Sequence, residues 1–369
     1  DLHKAIRRQR QMCIRDSPGG VETHCECLYP LIAAMGHEVT VMCRRPYVDD
    51  AHAGATEYKG VRLKVLPAVK KRSLEAMLHT FLSVVEARRL GADVVHLHAV
   101  GPSLMAPLAR LLGMKVVMTH HGPDYNRDKW GAFARLILRW GERAGVRWSN
   151  GVIAISHPIA ADVSRRYRRD DVAVIFNGVQ PCHAVAPTRY LDSRGIVPGR
   201  YVLAMGRFVR EKGFHDFVSA CAGWRDDGFQ VVLAGDSDHD DAYSRSLKAD
   251  AAEAGVILTG YVKGEALDEL MSHAALFVLP SCHEGLPIVL LEAMSHGLDV
   301  MVSDIAPNRL EQLAPEDFFE TGNVIDLQEK VLQKLRQATG HRRVYDMSQY
   351  SWPAIAEATE KVYRRILHH

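Results

Sequence analysis

The sequence predicts an α/β fold in which two doubly wound, parallel-sheet domains face one another across a cleft. Short apolar segments alternate with amphipathic ones along the chain, which is typical of parallel βαβ units. The chain has 369 residues, more than one ordinary hydrophobic core accommodates. The alternation stops at residues 180–200, a stretch with three Pro and two Gly, and then starts again. That interruption is the predicted domain boundary.

In the first half, short apolar runs predict strands and longer amphipathic stretches predict helices. The predicted strands are Glu38–Cys43, Arg62–Leu66, Val94–Leu97, Lys115–Thr119, Val152–Ile155 and Val172–Ile175. The predicted helices are Val21–Met35, Leu74–Leu90, Ser103–Leu112, Phe133–Trp148 and Pro158–Tyr167. A parallel domain should also open on an apolar strand, but residues 1–17 are mostly polar, and only Met12–Ile14 could begin one. We therefore expect residues 1–17 to be a non-native start.

The second half repeats the alternation. Its predicted strands are Tyr201–Met205, Gln230–Ala234, Val256–Leu258, Leu276–Leu279 and Asp299–Val302. Its predicted helices are Phe214–Trp224, Ala242–Glu253, Glu265–Ser272, Pro287–His296 and Asn323–Leu335. A last helix, Pro353–Ile366, has no strand after it and could pack back across the hinge. The predicted organisation is an N-terminal domain over residues 1–180, a linker over 181–200, a C-terminal domain over 201–352 and a C-terminal helix over 353–369.

Charge is distributed unevenly along the chain. Residues 1–200 hold 30 Lys and Arg against 18 Asp and Glu, whereas residues 201–369 hold 16 against 26. A basic half can attract anionic lipid, nucleic acid or a diphosphate-bearing acceptor, and the two halves can also attract each other. Nucleic acid is the least favoured partner, because no pattern of stacking aromatic residues accompanies the charge.

Cysteine usage indicates the compartment. The seven cysteines show no metal-ligand spacing, and the sequence carries no secretory signal. Reduced thiols in a cytoplasmic protein are therefore expected. The most apolar long stretch, Val100–Met118, contains Arg110 and Lys115 and is not expected to span a membrane.

Glu284 and Glu292 are the most informative pair of residues. A predicted strand, Leu276–Leu279, ends just before Glu284, and Pro287 stands where the next helix should begin. Ligands of open α/β sheets bind at such a loop. Glu292, in the second turn of the helix, could accept two hydrogen bonds from a ribose diol, while Glu284 would face a sugar. The alternative of two unrelated surface glutamates is less favoured, because a Gly and a Pro lie between them.

A cationic loop, Gly206–Gly213, follows the first strand of the second half and contains Arg207 and Lys212. A diphosphate leaving group needs charge compensation, which these two side chains could supply. The alternative is a solvated charged turn. Gly19 and Gly20 precede the first helix and would let the backbone approach a phosphate, although a plain turn explains them equally well.

Histidines end two neighbouring predicted strands. His121 could donate to a charge that develops on a sugar or phosphate, whereas His96 and His98 indicate packing or cleft lining. No third ligand supports a zinc site among them. The triplet Asp236–Asp238 is better explained as a turn than as a metal site. The sequence therefore predicts neither a metal nor a cofactor.

These motifs resemble those of the retaining glycosyltransferases of family 4, which have the GT-B fold of two Rossmann-like domains. The resemblance extends over roughly residues 18–367. It rests on the runs Pro18–Glu22, Thr119–Gly122, Ile175–Val179, Gly206–Gly213 and Glu284–Met294. The segments Gly122–Gly131, Arg44–Tyr47 and Ser303–Ile305 resemble a subgroup associated with bacterial surface polysaccharides. The chain departs from the family in its first strand, and in Asp299, where a Pro is common.

The resemblance implies roles for the candidate residues. Arg207 and Lys212 would bind the donor diphosphate, Glu292 the ribose and Glu284 the transferred sugar, while His121 would lie at the reaction centre. The predicted catalytic residues are thus His121 and Glu284, and the predicted donor-binding residues are Gly19, Gly20, Arg207, Lys212, Val262, Gly285, Leu286, Pro287 and Glu292. The family uses no obligatory metal.

We therefore expect a cytoplasmic, retaining hexosyltransferase. It would move a hexose from a nucleotide-diphosphate sugar to a hydroxyl of a glycan or polyprenyl-diphosphate-linked acceptor. The alternatives are a nucleotide-sugar epimerase or sugar-phosphate synthase on the same fold, and a catalytically silent sugar-nucleotide-binding protein. One predicted helix carries an arginine at every fourth position, Arg135, Arg139, Arg143 and Arg147. This row predicts an anionic membrane surface as a further partner, although a solvated face explains it almost as well.

Overall fold

The computed structural model describes residues 8–12, 20–44, 56–67, 75–126, 130–182, 186–237, 241–337 and 342–368. The chain divides into two compact units. The first contains residues 1–178 and 349–369, and the second contains residues 179–348. Each unit has its own sheet, and every described strand pair but one is parallel. The predicted α/β class is confirmed.

The first unit contains an eight-stranded sheet in the order β3-β4-β2-β1-β5-β6-β7-β8. Its strands are β1 (Arg8–Met12), β2 (Val39–Arg44), β3 (Glu57–Tyr58), β4 (Val61–Leu66), β5 (Val94–His98), β6 (Lys115–His120), β7 (Gly151–Ala154) and β8 (Val172–Val174). Its first helices are α1 (Gly20–Ala34), α2 (Glu75–Arg89), α3 (Ala106–Leu111), α4 (Ala132–Trp148) and α5 (His157–Tyr167).

The second unit contains a six-stranded sheet in the order β11-β10-β9-β12-β13-β14. Its strands are β9 (Tyr201–Met205), β10 (Gln230–Ala234), β11 (Ile257–Gly260), β12 (Leu276–Leu279), β13 (Val300–Ser303) and β14 (Phe318–Phe319). Its helices are α6 (Arg189–Ser193), α7 (Phe214–Ala220), α8 (Ala222–Asp226), α9 (Ala242–Glu253), α10 (Glu265–His273), α11 (Ile288–Ser295) and α12 (Val324–Gln337). A final helix, α13 (Trp352–Leu367), belongs to the first unit.

The first strand differs from the sequence prediction. Apolar residues placed its start at Met12–Ile14, whereas β1 covers Arg8–Met12 and pairs in parallel with β2 and β5. Backbone pairing to both neighbours defines this strand, and a side-chain pattern cannot reveal such pairing.

The predicted helix Phe214–Trp224 is two helices, α7 and α8. At the junction, the amide of Cys221 donates to the carbonyl of Val218, three residues back. A bond of this kind tightens the turn and ends the regular α-helix. The two-residue strand β14 and the single-turn helix α6 were not predicted, because elements so short leave no periodic pattern.

The C-terminal helix is part of the core of the first unit. Trp352 and Tyr363 of α13 are buried together with Tyr29 of α1. Gly178 lies against the indole of Trp352, and a Cβ at that position would come within 2.4 Å of the ring. The helix predicted over residues 353–369 therefore packs on α1.

The middle strands of the second sheet are buried on both faces. In β9, Tyr201, Val202 and Leu203 are completely buried, as expected for a parallel strand covered by helices on both sides. Because these strands are parallel, the loops that follow β9, β10, β11 and β12 lie at one edge of the sheet. No helix in the described part of the chain is long and apolar enough to cross a lipid bilayer.

Candidate active site

The structure brings two of the predicted motifs of the second unit into contact. Strands β9 and β12 are adjacent, so the cationic loop after β9 lies beside the loop that carries Glu284. The Nζ atom of Lys212 is 2.5 Å from Oε1 of Glu284. The two side chains are only 17% and 10% exposed, so this ion pair is poorly screened by solvent. Arg207 is half-buried at the start of the same loop.

Glycine lets the loop after β9 reach the end of β12. Gly213 has φ +66°, and a Cβ there would lie 2.0 Å from the carbonyl oxygen of Pro280. Any larger residue would therefore push the loop away from β12. The amide of Cys282 donates to the carbonyl of Glu211 at 2.9 Å, which ties the two loops together next to the Lys212–Glu284 pair.

The loop before α11 is held from beneath by polar side chains. The Ser303 hydroxyl donates to the carbonyl of Ser281 at 2.5 Å, and the Asn308 amide in turn lies 3.0 Å from the Ser303 hydroxyl. Leu286 and Pro287 are buried, whereas Gly285 is half-exposed. These contacts fix the backbone from Ser281 to the start of α11, the stretch that contains Glu284 and Gly285.

Glu292 lies in the second turn of α11 and is half-buried. Its pKa is raised to about 7, chiefly by burial and to a smaller extent by the nearby Asp268 carboxylate. Among the described residues its carboxyl group has no side-chain hydrogen-bond partner. His296 binds the main-chain carbonyl of Glu292 through Nδ1, 3.0 Å away, and not the carboxyl. A bound ligand with hydroxyl groups could supply the missing hydrogen bonds.

Val262 lies in the loop that follows β11. The turn before it is fixed by Gly260, which has φ +70°, and by the hydroxyl of Tyr261, which donates to the carbonyl of Asp236 at 3.0 Å. The Asp236 carboxylate itself is paired with Lys248 at 2.6 Å. Val262, half-buried, is therefore held near the end of β10. Asp238, the last residue of the rejected metal-binding triplet, lies outside the described residues.

In the first unit, His121 ends a chain of hydrogen bonds that leads into the core. Its Nε2 atom is 2.8 Å from Nδ1 of His98, and Nε2 of His98 is 2.9 Å from the hydroxyl of Tyr29. The same hydroxyl is 2.9 Å from His96, which also contacts Tyr363. The sequence assigned His96 and His98 to packing or cleft lining. Residues 96 and 98 are two positions apart in β5, so their side chains lie on one face of the strand. That spacing is the sequence pattern from which a link between these histidines and His121 could have been predicted.

A buried carboxylate lies next to the loop that carries His121, and the sequence did not predict it. Glu142 of α4 is 1% exposed and lies 2.9 Å from Nε2 of His120. It also accepts from the Tyr167 hydroxyl at 2.6 Å and pairs with Arg166 at 2.9 Å. Burial alone would raise its pKa, but the hydrogen bonds from His120 and Tyr167 and the nearby positive charges outweigh burial and lower it. His120 accepts from the amide of Gly122, so this network fixes both sides of His121.

The predicted site residues are divided between the two units. Gly20 is the first residue of α1, at the end where free amides can receive an anion, and Gly19 lies outside the described residues. His121 also belongs to the first unit. The remaining candidates all belong to the second unit: Arg207, Lys212, Val262, Glu284, Gly285, Leu286, Pro287 and Glu292. In the described part of the chain, no three His, Cys, Asp or Glu side chains are grouped as metal ligands.

Two family models match the chain, one on each side of the domain boundary. The model described as Glycosyltransferase Family 4 matches residues 18–181. The model described as Glycosyl transferases group 1 matches residues 193–350.

Curated relatives include an α-maltose-1-phosphate synthase from Mycobacterium tuberculosis, which is 28% identical over 89% of this chain and 94% of its own length. A GDP-mannose:cellobiosyl-diphosphopolyprenol α-mannosyltransferase from Komagataeibacter xylinus is 26% identical over 75% of this chain and 72% of its own length. Among solved structures, sucrose-phosphate synthase from Thermosynechococcus elongatus aligns with a TM-score of 0.80 at 19% identity. The alignment covers 98% of this chain and 99% of that one, and it confirms the predicted GT-B fold class.

Proposed function

The chain belongs to glycosyltransferase family 4, and from that membership we propose that it transfers a hexose from a nucleotide-diphosphate sugar with retention of the anomeric configuration. The acceptor is a hydroxyl of a glycan or of a polyprenyl-diphosphate-linked sugar. The general class of the chain is that of a glycosyltransferase in glycan biosynthesis. The donor, the acceptor and the stereochemistry are the finer parts of the proposal.

One observation carries the assignment of the donor site, namely the contact between Lys212 and Glu284. It places a cation and a carboxylate side by side where two parallel strands end, and ligands bind at this edge of open α/β sheets. A diphosphate attracts the ammonium group, and sugar hydroxyls can donate to the carboxylate. On binding, Lys212 exchanges part of its interaction with Glu284 for the donor phosphates, which frees Glu284 to contact the hexose.

The chemistry follows from where charge develops. The bond between the anomeric carbon and the diphosphate oxygen breaks, and a bond from the acceptor oxygen to the same face of that carbon forms. Arg207 and Lys212 stabilise the negative charge on the leaving diphosphate, in place of a metal. The acceptor proton passes to a leaving phosphate oxygen. Glu292 holds the ribose, and His121 donates to the reacting sugar or phosphate.

The Komagataeibacter xylinus relative supports the choice of substrates. Its name specifies a nucleotide sugar as donor and a diphosphopolyprenol-linked sugar as acceptor. We extend to this chain only those two chemical classes. The particular hexose, base and lipid of the relative are not carried over.

A donor screen followed by a transfer assay tests the proposal. The purified full chain is mixed with UDP, GDP and dTDP sugars, and one of them should raise the melting temperature. With that donor, Lys212→Ala and Glu284→Ala should each lower turnover by ~10²-fold or more. NMR of the product should show that the anomeric configuration of the donor is kept. Binding without transfer to any acceptor, or near-wild-type turnover in both variants, would contradict the proposal.

A further inference from the structure

Helix α4 exposes large apolar side chains. Phe133 is 76% exposed, Leu136 is 47% exposed and Trp140 is 61% exposed. Their spacing of three and four residues puts all three on one side of the helix. Exposed aromatic side chains clustered in this way are uncommon on a protein surface that contacts only water.

Close packing fixes the direction in which this side of α4 faces. On the opposite side, a Cβ at Gly141 would lie 2.2 Å from the carbonyl oxygen of Val100, and one at Gly145 would lie 2.4 Å from the sulfur of Met118. The helix therefore approaches its neighbours through positions that only glycine can occupy. It cannot rotate to bury Trp140 without losing that contact.

Arginines surround the apolar side chains. Arg139, Arg143 and Arg147 are exposed on the same half of α4. The single acidic residue of the helix, Glu142, is 1% exposed and paired with Arg166. The exposed surface of α4 is therefore apolar and positively charged, without a carboxylate of its own helix to neutralise it.

A neighbouring helix also exposes an apolar and a basic side chain. α3 packs against α4. Its Leu111 is 80% exposed, and Arg110 beside it is also exposed. Apolar and basic side chains thus occur together on two adjacent helices.

We propose that the α4 face docks on an anionic lipid surface. The face is defined by Phe133, Leu136, Arg139, Trp140, Arg143 and Arg147. Aromatic rings favour the boundary between head groups and acyl chains, while arginines reach the lipid phosphates beside them. A second copy of the chain is a poor occupant, because a two-fold contact would bring the arginines of both copies together. The inference does not depend on the proposed activity, since the face contains none of the candidate site residues.

Sedimentation with lipid vesicles tests the proposal. The full chain should bind vesicles of equal parts phosphatidylcholine and phosphatidylglycerol, and bind vesicles of phosphatidylcholine alone much more weakly. Added salt should weaken binding to the mixed vesicles. Trp140→Ser should reduce affinity by about tenfold. The double variant Arg139→Gln, Arg143→Gln should reduce it by about twenty-five-fold, at about fivefold for each arginine.

Matched variants on the second unit serve as controls. Ile325 of α12 is 68% exposed, and Arg189 of α6 and Arg194, which follows that helix, are exposed. Ile325→Ser, and the double variant Arg189→Gln, Arg194→Gln, should bind vesicles as the wild type does. All variants should keep the wild-type melting temperature, and the α4 variants should keep wild-type transfer to a water-soluble acceptor.

Three results would overturn the proposal. The first is equal binding of the α4 variants and the matched controls. The second is equal binding of the wild type to neutral and mixed vesicles. The third is concentration-dependent self-association in sedimentation velocity that Trp140→Ser abolishes, which would assign the α4 face to a second copy.

Discussion

Replacing Glu292 by Gln should make the protein more stable above neutral pH while weakening donor binding. The pKa of Glu292 is raised to about 7 from an ordinary value of 4.5, chiefly by burial. The folded protein therefore keeps a proton on this group between those two values, whereas the unfolded chain has already lost it. The stabilisation that the protonated carboxyl group contributes is fully present below pH 4.5, the ordinary pKa that applies to the unfolded chain. It is lost as pH rises through about 7, the pKa in the folded protein.

The size of the effect follows from the two pKa values. The difference between 4.5 and about 7 corresponds to about 3 kcal/mol of unfolding free energy. The amide of Glu292→Gln does not ionise, so the variant loses this pH dependence. Burying an amide with few partners adds a constant cost of about 1 kcal/mol at every pH. The informative quantity is therefore the difference in unfolding free energy between the variant and wild type, and how that difference changes with pH.

Urea unfolding of both proteins at several values between about pH 4.5 and about pH 8 measures that change. The stability of the variant relative to wild type should rise by up to about 3 kcal/mol over this interval. Glu329 lies exposed on α12, and Glu329→Gln should follow the wild-type curve. If Glu292→Gln and wild type give parallel curves, the carboxyl group is not perturbed by burial and the reasoning is refuted.

Three further perturbations test other parts of the structure. Gly213→Ala should lower the free energy of unfolding in urea by about 3 kcal/mol or more, because the new Cβ clashes with Pro280 and the φ of this position is strained for alanine. Gly322→Ala is the control: its φ is +80° but the space around it is open, so it should lower that free energy by only about 1 kcal/mol. Glu142→Leu should destabilise by about 3–5 kcal/mol, because it leaves buried charged partners unpaired. The lowered pKa of Glu142 also means that wild type loses this stabilisation as pH falls below the ordinary carboxyl range, so the penalty should shrink in acid denaturation. Trp352→Ala should lower the free energy of unfolding by about 3–5 kcal/mol. Faster amide hydrogen exchange should then appear in α1, far away in the sequence. Faster exchange confined to α13 would contradict the prediction.

Local sequence patterns were sufficient to predict most strands and helices. β12 is a short apolar run and α9 an amphipathic stretch, and both formed at the predicted residues. The split between α7 and α8 was missed, because a single hydrogen bond at Cys221 decides it and apolar periodicity continues across it. β14 has two residues, and its position depends on pairing with β13.

The site was predictable only in part. Strand ends located Lys212 and Glu284 at the same edge of the sheet, but their contact depends on β9 and β12 being neighbours. Strand order is set by the packing of the whole unit, which a one-dimensional pattern does not encode. Glu142 was missed for a similar reason. It looks like one acidic residue on an arginine-rich helix, and two of its partners, His120 and Tyr167, lie more than twenty residues away in the chain.

The position of α13 has a consequence for biosynthesis. The second unit lies between the two chain segments that form the first, so the ribosome completes residues 179–348 before it makes α13. Until then Tyr29 and the strands beside it lack the helix that covers them. The first segment to emerge is thus the last to become fully folded, the reverse of the usual order in which domains mature during translation. A nascent chain stalled before Trp352 should expose apolar surface on its N-terminal part and bind chaperones there.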